Sequence, residues 1–292
     1  MGINLGSTAI SSIKLGTTQV DKIYLGSTQV YGGSTPPVTI KALKFTSSGA
    51  QTLGVDATKL GTVSPNFEYS TDNGATWTTW NVVNDTLPFG NGTDLYLRGS
   101  NSIISKSGSN YTNFVFSTSS PVYCSGNIMH LFDYTQDLTS FPQDTNSRGT
   151  KYLFYNCTQL MTAPELPATT LAPSGSTYYY MFAGCTSLTT PPSLPATPLQ
   201  AYSYDHMFYG CTSLDKIPQL SGAILAGQNI ASSMFENCIN IKMSETQEGD
   251  YTNLYDFGYP PGSALNMFAG TGGTFTSGNP PQILYTSNEI IQ

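Results

Sequence analysis

A phenylalanine and a cysteine recur together through the C-terminal half of this chain. Phe154, Phe182, Phe208 and Phe235 stand 28, 26 and 27 residues apart, and Cys157, Cys185, Cys211 and Cys238 keep the same intervals. The aligned units read LFYNCTQLMTAPELPATTL, MFAGCTSLTTPPSLPATPL, MFYGCTSLDKIPQL and MFENCINIKMS. A period of this size predicts a solenoid, whose repeats bury their apolar sides by stacking on one another. Side chains in one column then meet their equivalents one coil away. Degenerate units flank the set: LFDYTQDLTSFP, with Phe132, precedes it, and LNMFAGTGG, with Phe268 and no cysteine, follows it. Both are expected to act as caps.

The repeat accounts for the cysteines without chemistry. Zinc ligands ordinarily lie two to four residues apart, whereas these recur singly, with only His130 and His206 as further ligands. Five cysteines do not demand a disulfide framework in a chain long enough to build a core, so reduced thiols, made in a cytoplasm, are expected. Charged residues are only 10% of the chain and the formal net charge is −7, which disfavours a nucleic-acid partner. No basic residue followed by an apolar run opens the chain as a secretory signal would. No stretch has the roughly 18 apolar residues of a membrane span.

Charge and pattern divide the chain at two linker-like runs, Gly32 to Pro37 and Ser117 to Pro121. Residues 1–37 carry +1, 38–120 are neutral and 121–292 carry −8. The first segment repeats at a period of ten, as LGSTAISSIK, LGTTQVDKIY and LGSTQVYGG, each unit read as a strand and a turn of a β-meander. Its apolar positions are Leu5, Ile10, Ile13, Leu15, Val20, Ile23, Leu25 and Val30. They cannot offset an ordering cost of roughly 1–2 kcal/mol per residue, so the segment needs copies of itself or a larger assembly to pack on. Residues 38–120 alternate strand-like runs such as VTIKALKF, NFEYS and DLYLRG with turn clusters, which predicts a β-sandwich of the immunoglobulin type. The fold expected overall is mainly β: an anchoring meander, a sandwich, and a leucine-rich-repeat solenoid with short helical turns over 121–292.

Within the second segment, Ser70 to Trp77 reads STDNGATW and matches the S-x-D-x-G-x-T-W Asp-box found on hairpins of sialidases and related β proteins. Ser70 and Asp72 are expected to bond turn amides, Gly74 to take a left-handed conformation and Trp77 to plug the hairpin against the core. The box organises a turn and performs no chemistry. A sialidase resembling the known family clamps its substrate carboxylate with three arginines, and this chain has only Arg98 and Arg148. Trp80 is either a sugar-stacking residue or core, and with Trp77 three positions away at least one of the two is expected in the core.

A solenoid presents aligned exposed columns to extended partners. Thr162, Thr189, Thr190, Asp215 and Lys216, and beside them Glu165, Ser193 and Gln219, alternate with apolar positions and are expected to face a ligand. Tyr178, Tyr179, Tyr180, Tyr202 and Tyr204 precede the repeated Phe; Tyr202 and Tyr204 are candidate sugar platforms, although stapling of neighbouring coils is the better use of such rings. His206 is expected at the surface near a short helix. Neither a phosphate-binding loop nor a nucleophile elbow nor a zinc-protease motif occurs, so no catalytic, metal-binding or cofactor-binding residue is assigned.

Two resemblances point to function. MFxGCTSLTTxPxLPATxL resembles the BspA-like leucine-rich repeat, a surface-protein repeat of gut Bacteroidales and their phages. In that family each coil has a strand on one face, and Leu160, Leu188, Leu214 and Ile241 match its buried strand leucines. KIYLGSTQVY resembles the N-terminal segment of virion structural proteins of crAss-like and related phages. Together they imply a non-enzymatic virion protein, a head fibre or capsid decoration protein on the virion surface. Its N-terminus would dock on capsid or other virion proteins, as a homo-oligomer expected to be a trimer. The solenoid would touch host-surface glycan or protein. A tail-associated fibre, a bacterial adhesin and a polysaccharide-cleaving enzyme are the alternatives.

Overall fold

The computed structural model describes residues 39–220, 228–257, 264–276 and 278–291, together with six strands of the N-terminal stretch as backbone only. The chain is mainly β, with several sheets, none of them closed. It divides into two units, 1–40 and 41–292.

In the first unit β1 (Asn4–Leu5) pairs with β2 (Thr8–Ala9), β3 (Ile13–Leu15) with β4 (Thr18–Val20), and β5 (Lys22–Leu25) with β6 (Thr28–Gly32), each pair antiparallel. Leu5, Leu15 and Leu25 lie opposite Thr8, Thr18 and Thr28. The repeat of ten therefore encodes a pair of antiparallel strands, where one strand per repeat was expected. Of the anchor positions, Leu5, Ile13, Leu15, Val20, Ile23, Leu25 and Val30 fall in these strands, and Ile10 lies outside the described residues.

The second unit begins with β7 (Leu43–Thr46), β8 (Gln51–Val55), a single helical turn α1 (Ala57–Leu60), β9 (Phe67–Ser70), β10 (Thr78–Thr79), β11 (Leu87–Phe89), β12 (Leu95–Gly99), β13 (Phe114–Phe116) and β14 (Val122–Ser125). One sheet runs β10-β9-β12-β7-β14 and a second runs β11-β8-β13. Alternating side chains bury Leu43 and Phe45 on β7, Leu87 and Phe89 on β11, and Phe114 and Phe116 on β13. The sheets meet through these rings: Phe45 lies 6.1 Å from both Phe114 and Phe116, and Phe67 lies 6.2 Å from Phe114.

The same sheet continues past residue 120. β14 pairs antiparallel with β7 and parallel with β15 (Leu160–Thr162), and Thr162 bridges in parallel to Thr190. One buried cluster extends from Leu43 to Leu284 with no gap where the linker was read.

Beyond β15 the repeats stack. Phe154, Phe182, Phe208, Phe235 and Phe268 form a file with ring centroids 5.5, 5.6, 5.6 and 5.6 Å apart and planes within 11° of parallel. Each of the first four donates its backbone N–H to the next coil, to Met181, Met207, Met234 and Met267 carbonyls at 2.9–3.0 Å. Between these bonds the chain closes overlapping i to i+3 turns, as from Leu153 to Thr150, Tyr155 to Tyr152 and Cys157 to Phe154. The helical turns expected here, including one near His206, are thus runs of β-turns. Every fourth residue of these runs has positive φ, and among them Asn156, Gly184, Gly210, Asn237 and Gly270 have φ between 58° and 76°. That explains why Asn or Gly always stands two residues after the repeated Phe.

The flanking units differ from one another. Phe268 keeps its place in the file although Thr271 replaces the cysteine, its hydroxyl donating within its own turn to Phe268 O at 2.8 Å. Phe132 does not join the file as the first rung. Phe114 of β13 takes that place by its backbone, its N–H donating to Leu153 O at 2.8 Å and its ring meeting Phe154 edge-on at 5.5 Å, while Phe132 opens a second buried column through Phe141, Tyr178 and Tyr204.

At the far end β16 (Lys216–Pro218), β17 (Met243–Ser244), β18 (Asn253–Asp256), β19 (Ile283–Thr286) and β20 (Glu289–Ile291) close the stack. β20 returns to pair in parallel with β16, and β17-β19-β18 form an antiparallel sheet. Asn288 clamps this end: its Oδ1 accepts from Lys242 N at 2.7 Å and its Nδ2 donates to Asp215 O and Asn240 O.

Candidate functional site

Four of the ligand candidates converge. Thr162, Glu165, Thr190 and Ser193 line a groove of about 490 Å³ between two successive coils, walled by prolines such as Pro164 and Pro192. The parallel bridge from Thr162 to Thr190 sets the spacing across the groove floor. Glu165 is held by its backbone, its N–H donating to Gly126 O at 2.9 Å. Its carboxylate is exposed and, among the described residues, enters no ion pair. Thr162 spends its hydroxyl on Cys124 O at 2.8 Å. The groove offers an exposed carboxylate and hydroxyl-bearing side chains on a wall rich in proline.

Thr189 stands beside Thr190 but does not line the groove, and Asp215, Lys216 and Gln219 belong to the neighbouring coil. Asp215 is exposed, and its N–H bonds to Thr189 O at 3.1 Å, tying Thr189 to the next coil. Lys216 pairs with Glu289 at 2.7 Å, and the Gln219 amide donates to Leu220 O and Asp256 O, so both fasten the C-terminal strands. Tyr204 is a correction. It is 0% exposed and stacks on Tyr178 at 5.9 Å, so no ligand reaches it. Tyr202 is half-buried.

A row of aromatic rings runs along another face and includes Tyr180, one of the tyrosines expected to staple neighbouring coils, and His206. Tyr111 stacks on Tyr152 at 4.4 Å, Tyr152 on Tyr180 at 5.2 Å, and Tyr180 on His206 at 4.3 Å. His206 Nδ1 is held against Asp205 Oδ1. Because the ring faces are turned toward one another, the row staples coils and exposes edges and hydroxyls, which decides against face-on sugar stacking. Burial and neighbouring groups hold the phenols of Tyr152, Tyr179 and Tyr180 above the ordinary tyrosine range, so they remain O–H donors. The signal in the sequence was the run of three tyrosines; which rings face outward depends on the turns beneath them.

The Asp-box has the expected bonds. Ser70 Oγ donates to Asp72 Oδ1 at 2.7 Å and accepts from Gly74 N at 2.9 Å; Thr76 donates through both N–H and hydroxyl to the Asp72 carboxylate. These bonds lower the Asp72 pKa to about 2. Trp77 does not plug the core: it is half-exposed under the Arg98 guanidinium, which Tyr134 covers from the other side at 3.9 Å. Trp80 is the core residue, 3% exposed between Phe67 and Phe114, and is no sugar platform.

All five cysteines are buried and unpaired. Four donate their S–H to the phenylalanine carbonyl of the preceding rung, Cys157 to Phe114, Cys185 to Phe154, Cys211 to Phe182 and Cys238 to Phe208, at 3.0–3.2 Å. Burial pushes every thiol pKa up. Among the described residues no group of three His, Cys, Asp or Glu side chains is arranged to hold a metal, and no helix is long and apolar enough to cross a membrane.

Compared with protein-family models, curated proteins and solved structures, the chain matches none.

Proposed function

We propose that this chain is a non-enzymatic structural protein of a phage virion, a head fibre or capsid decoration protein that displays a recognition surface toward host-surface glycan. In this reading residues 1–37 dock on capsid or other virion proteins as a homo-oligomer, a trimer being favoured. Residues 38–120 are an immunoglobulin-like spacer and residues 121–292 a BspA-like leucine-rich-repeat solenoid. Support for the solenoid comes from Leu160, Leu188, Leu214 and Ile241, which occupy equivalent places and are all 0% exposed. Support for the anchor comes from the hairpin unit, which is distinct from residues 41–292 and is built from two-stranded pairs that are marginal alone.

The observation that carries the recognition role is the groove at Thr162, Glu165, Thr190 and Ser193. The stack closes its interior with rings, so chemistry that repeats from coil to coil is offered only outside, as in other repeat arrays that bind extended partners. Deleting residues 1–33 is expected to leave a soluble, folded remainder that no longer joins particles; incorporation at the parental level would overturn the anchor. Replacing Glu165 and Thr190 together by alanine is expected to lower particle attachment to host cells at least tenfold with an unchanged melting temperature. Unaltered attachment would exclude this groove.

A further inference from the structure

Two neighbouring cations of this acidic chain have no acidic partner among the described residues. Arg148 and Lys151 lie on one turn, Lys151 N–H donating to Arg148 O at 3.2 Å. Among the described residues neither enters an ion pair. Lys151 is only 8% exposed. Its ammonium has one carbonyl, Gly108 O at 3.2 Å, and otherwise the rings of Tyr111, Tyr152 and Tyr179 at 5.2–5.9 Å. Arg148 is half-buried, and its Nη1 is buried with no hydrogen-bond partner. Both pKa values are pulled down by desolvation, and for Lys151 the one other charge acting on it is that of Arg148, which repels.

Such an arrangement costs stability, because a charge removed from water is ordinarily offset by an opposite one. Of the twelve acidic groups after residue 120, none acts on Arg148 or Lys151, while Asp205, held against His206, acts on the Tyr179 phenol. Beside the cations the rings of Tyr152, Tyr179 and Tyr180 pack together, their centroids 4.6–5.5 Å apart, on half-exposed residues that carry phenol hydroxyls. A planar guanidinium, an ammonium and phenol O–H groups are all donors suited to a carboxylate whose carrier also bears hydroxyls.

We propose that Arg148 and Lys151, with the hydroxyls of Tyr152 and Tyr179, form a site for a carboxylated sugar residue at a glycan terminus. The assignment rests on the glycan-display reading and adds a second site to it, apart from the Glu165 groove. A terminal residue is favoured over a polyanionic chain because the surrounding segment carries −8 and repels a long acidic polymer, while two local cations still hold one carboxylate.

The full chain titrated with methyl β-glucuronide, methyl β-glucoside and inorganic sulfate, followed by ligand-observed NMR, tests this. The two sugars differ only in a carboxylate against a hydroxymethyl group. The glucuronide is expected to bind at least tenfold more tightly than the glucoside and than sulfate. Lys151→Met and Arg148→Gln are each expected to weaken it at least tenfold while the melting temperature stays level or rises, since each removes a desolvated unpaired charge. Tyr179→Phe, which keeps the ring, supplies a mild variant should either of these fail to fold, and is expected to weaken binding severalfold. Equal affinity for the two sugars, no binding of either, sulfate matching the glucuronide, or unchanged affinity in the variants would each overturn the site. Host attachment that persists in Lys151→Met but is lost in the Glu165 variant would leave the display reading standing and this site refuted.

Discussion

Two tryptophans three positions apart meet opposite fates here, and the reason is hydrogen bonding around each. Trp80 is drawn in by its N–H to Phe67 O at 2.9 Å and by its ring nitrogen to Asp85 O at 3.1 Å, which lets it stack on two phenylalanines. Trp77 is turned outward by its ring nitrogen to Gly74 O at 3.1 Å and becomes a platform for Arg98. The Asp-box between the strands makes a pH prediction. With its pKa lowered to about 2 from an ordinary 3.8, Asp72 contributes stability that is complete above about pH 4 and lost as pH falls toward 2. The melting temperature is expected to drop more steeply over that range in the parent than in Asp72→Ala. Parallel curves would show that the carboxylate is not what holds the turn.

At the scale of the element, the repeat unit is a device for placing a ring, a thiol and a positive-φ residue once per coil. Phe208 sits between Phe182 and Phe235 at 5.6 Å on each side, so Phe208→Ala opens a cavity that two rungs line. A loss of about 3–5 kcal/mol in denaturant unfolding is expected; a loss under about 1 kcal/mol would mean that the file is not load-sharing. The thiols donate to carbonyls and lie buried, and burial pushes the Cys238 pKa up to about 12. At pH 8 a thiol reagent is expected to label none of the five in the native chain and all of them after unfolding. Rapid native labelling of Cys185 or Cys211 would contradict the stacked arrangement. The Phe and Cys columns were legible because they recur in sequence; of the second column only Tyr178 and Tyr204, each four residues before the repeated Phe, were legible, because Phe132 and Phe141 lie outside the regular units.

Across the whole molecule the consequential feature is that residues 41–120 and 121–292 share a sheet and a core. β14 is paired on one side by β7 and on the other by β15, and Phe154 has Phe114 above it as the first rung. Cutting at the Ser/Thr/Pro run of residues 117–121 therefore separates β7 from β14 and Phe114 from Phe154. Fragments 41–120 and 121–292 are expected to be unfolded or aggregated when made separately, while 41–292 melts in a single transition by circular dichroism. Two independent transitions in 41–292, or a stable isolated 121–292, would restore the boundary that composition suggested.

The amino-acid order alone determined the period, the columns facing inward and the strand-and-turn character, because these depend on side-chain spacing along the chain and on which residues tolerate positive φ. Only the tertiary structure decided that the first rung is Phe114 and not Phe132, that Tyr204 is core while Glu165 and Thr190 share a groove, and that Arg148 and Lys151 are left without acids. Those outcomes rest on which distant segments come within a few ångströms of one another, and spacing along a single chain carries no information about that distance.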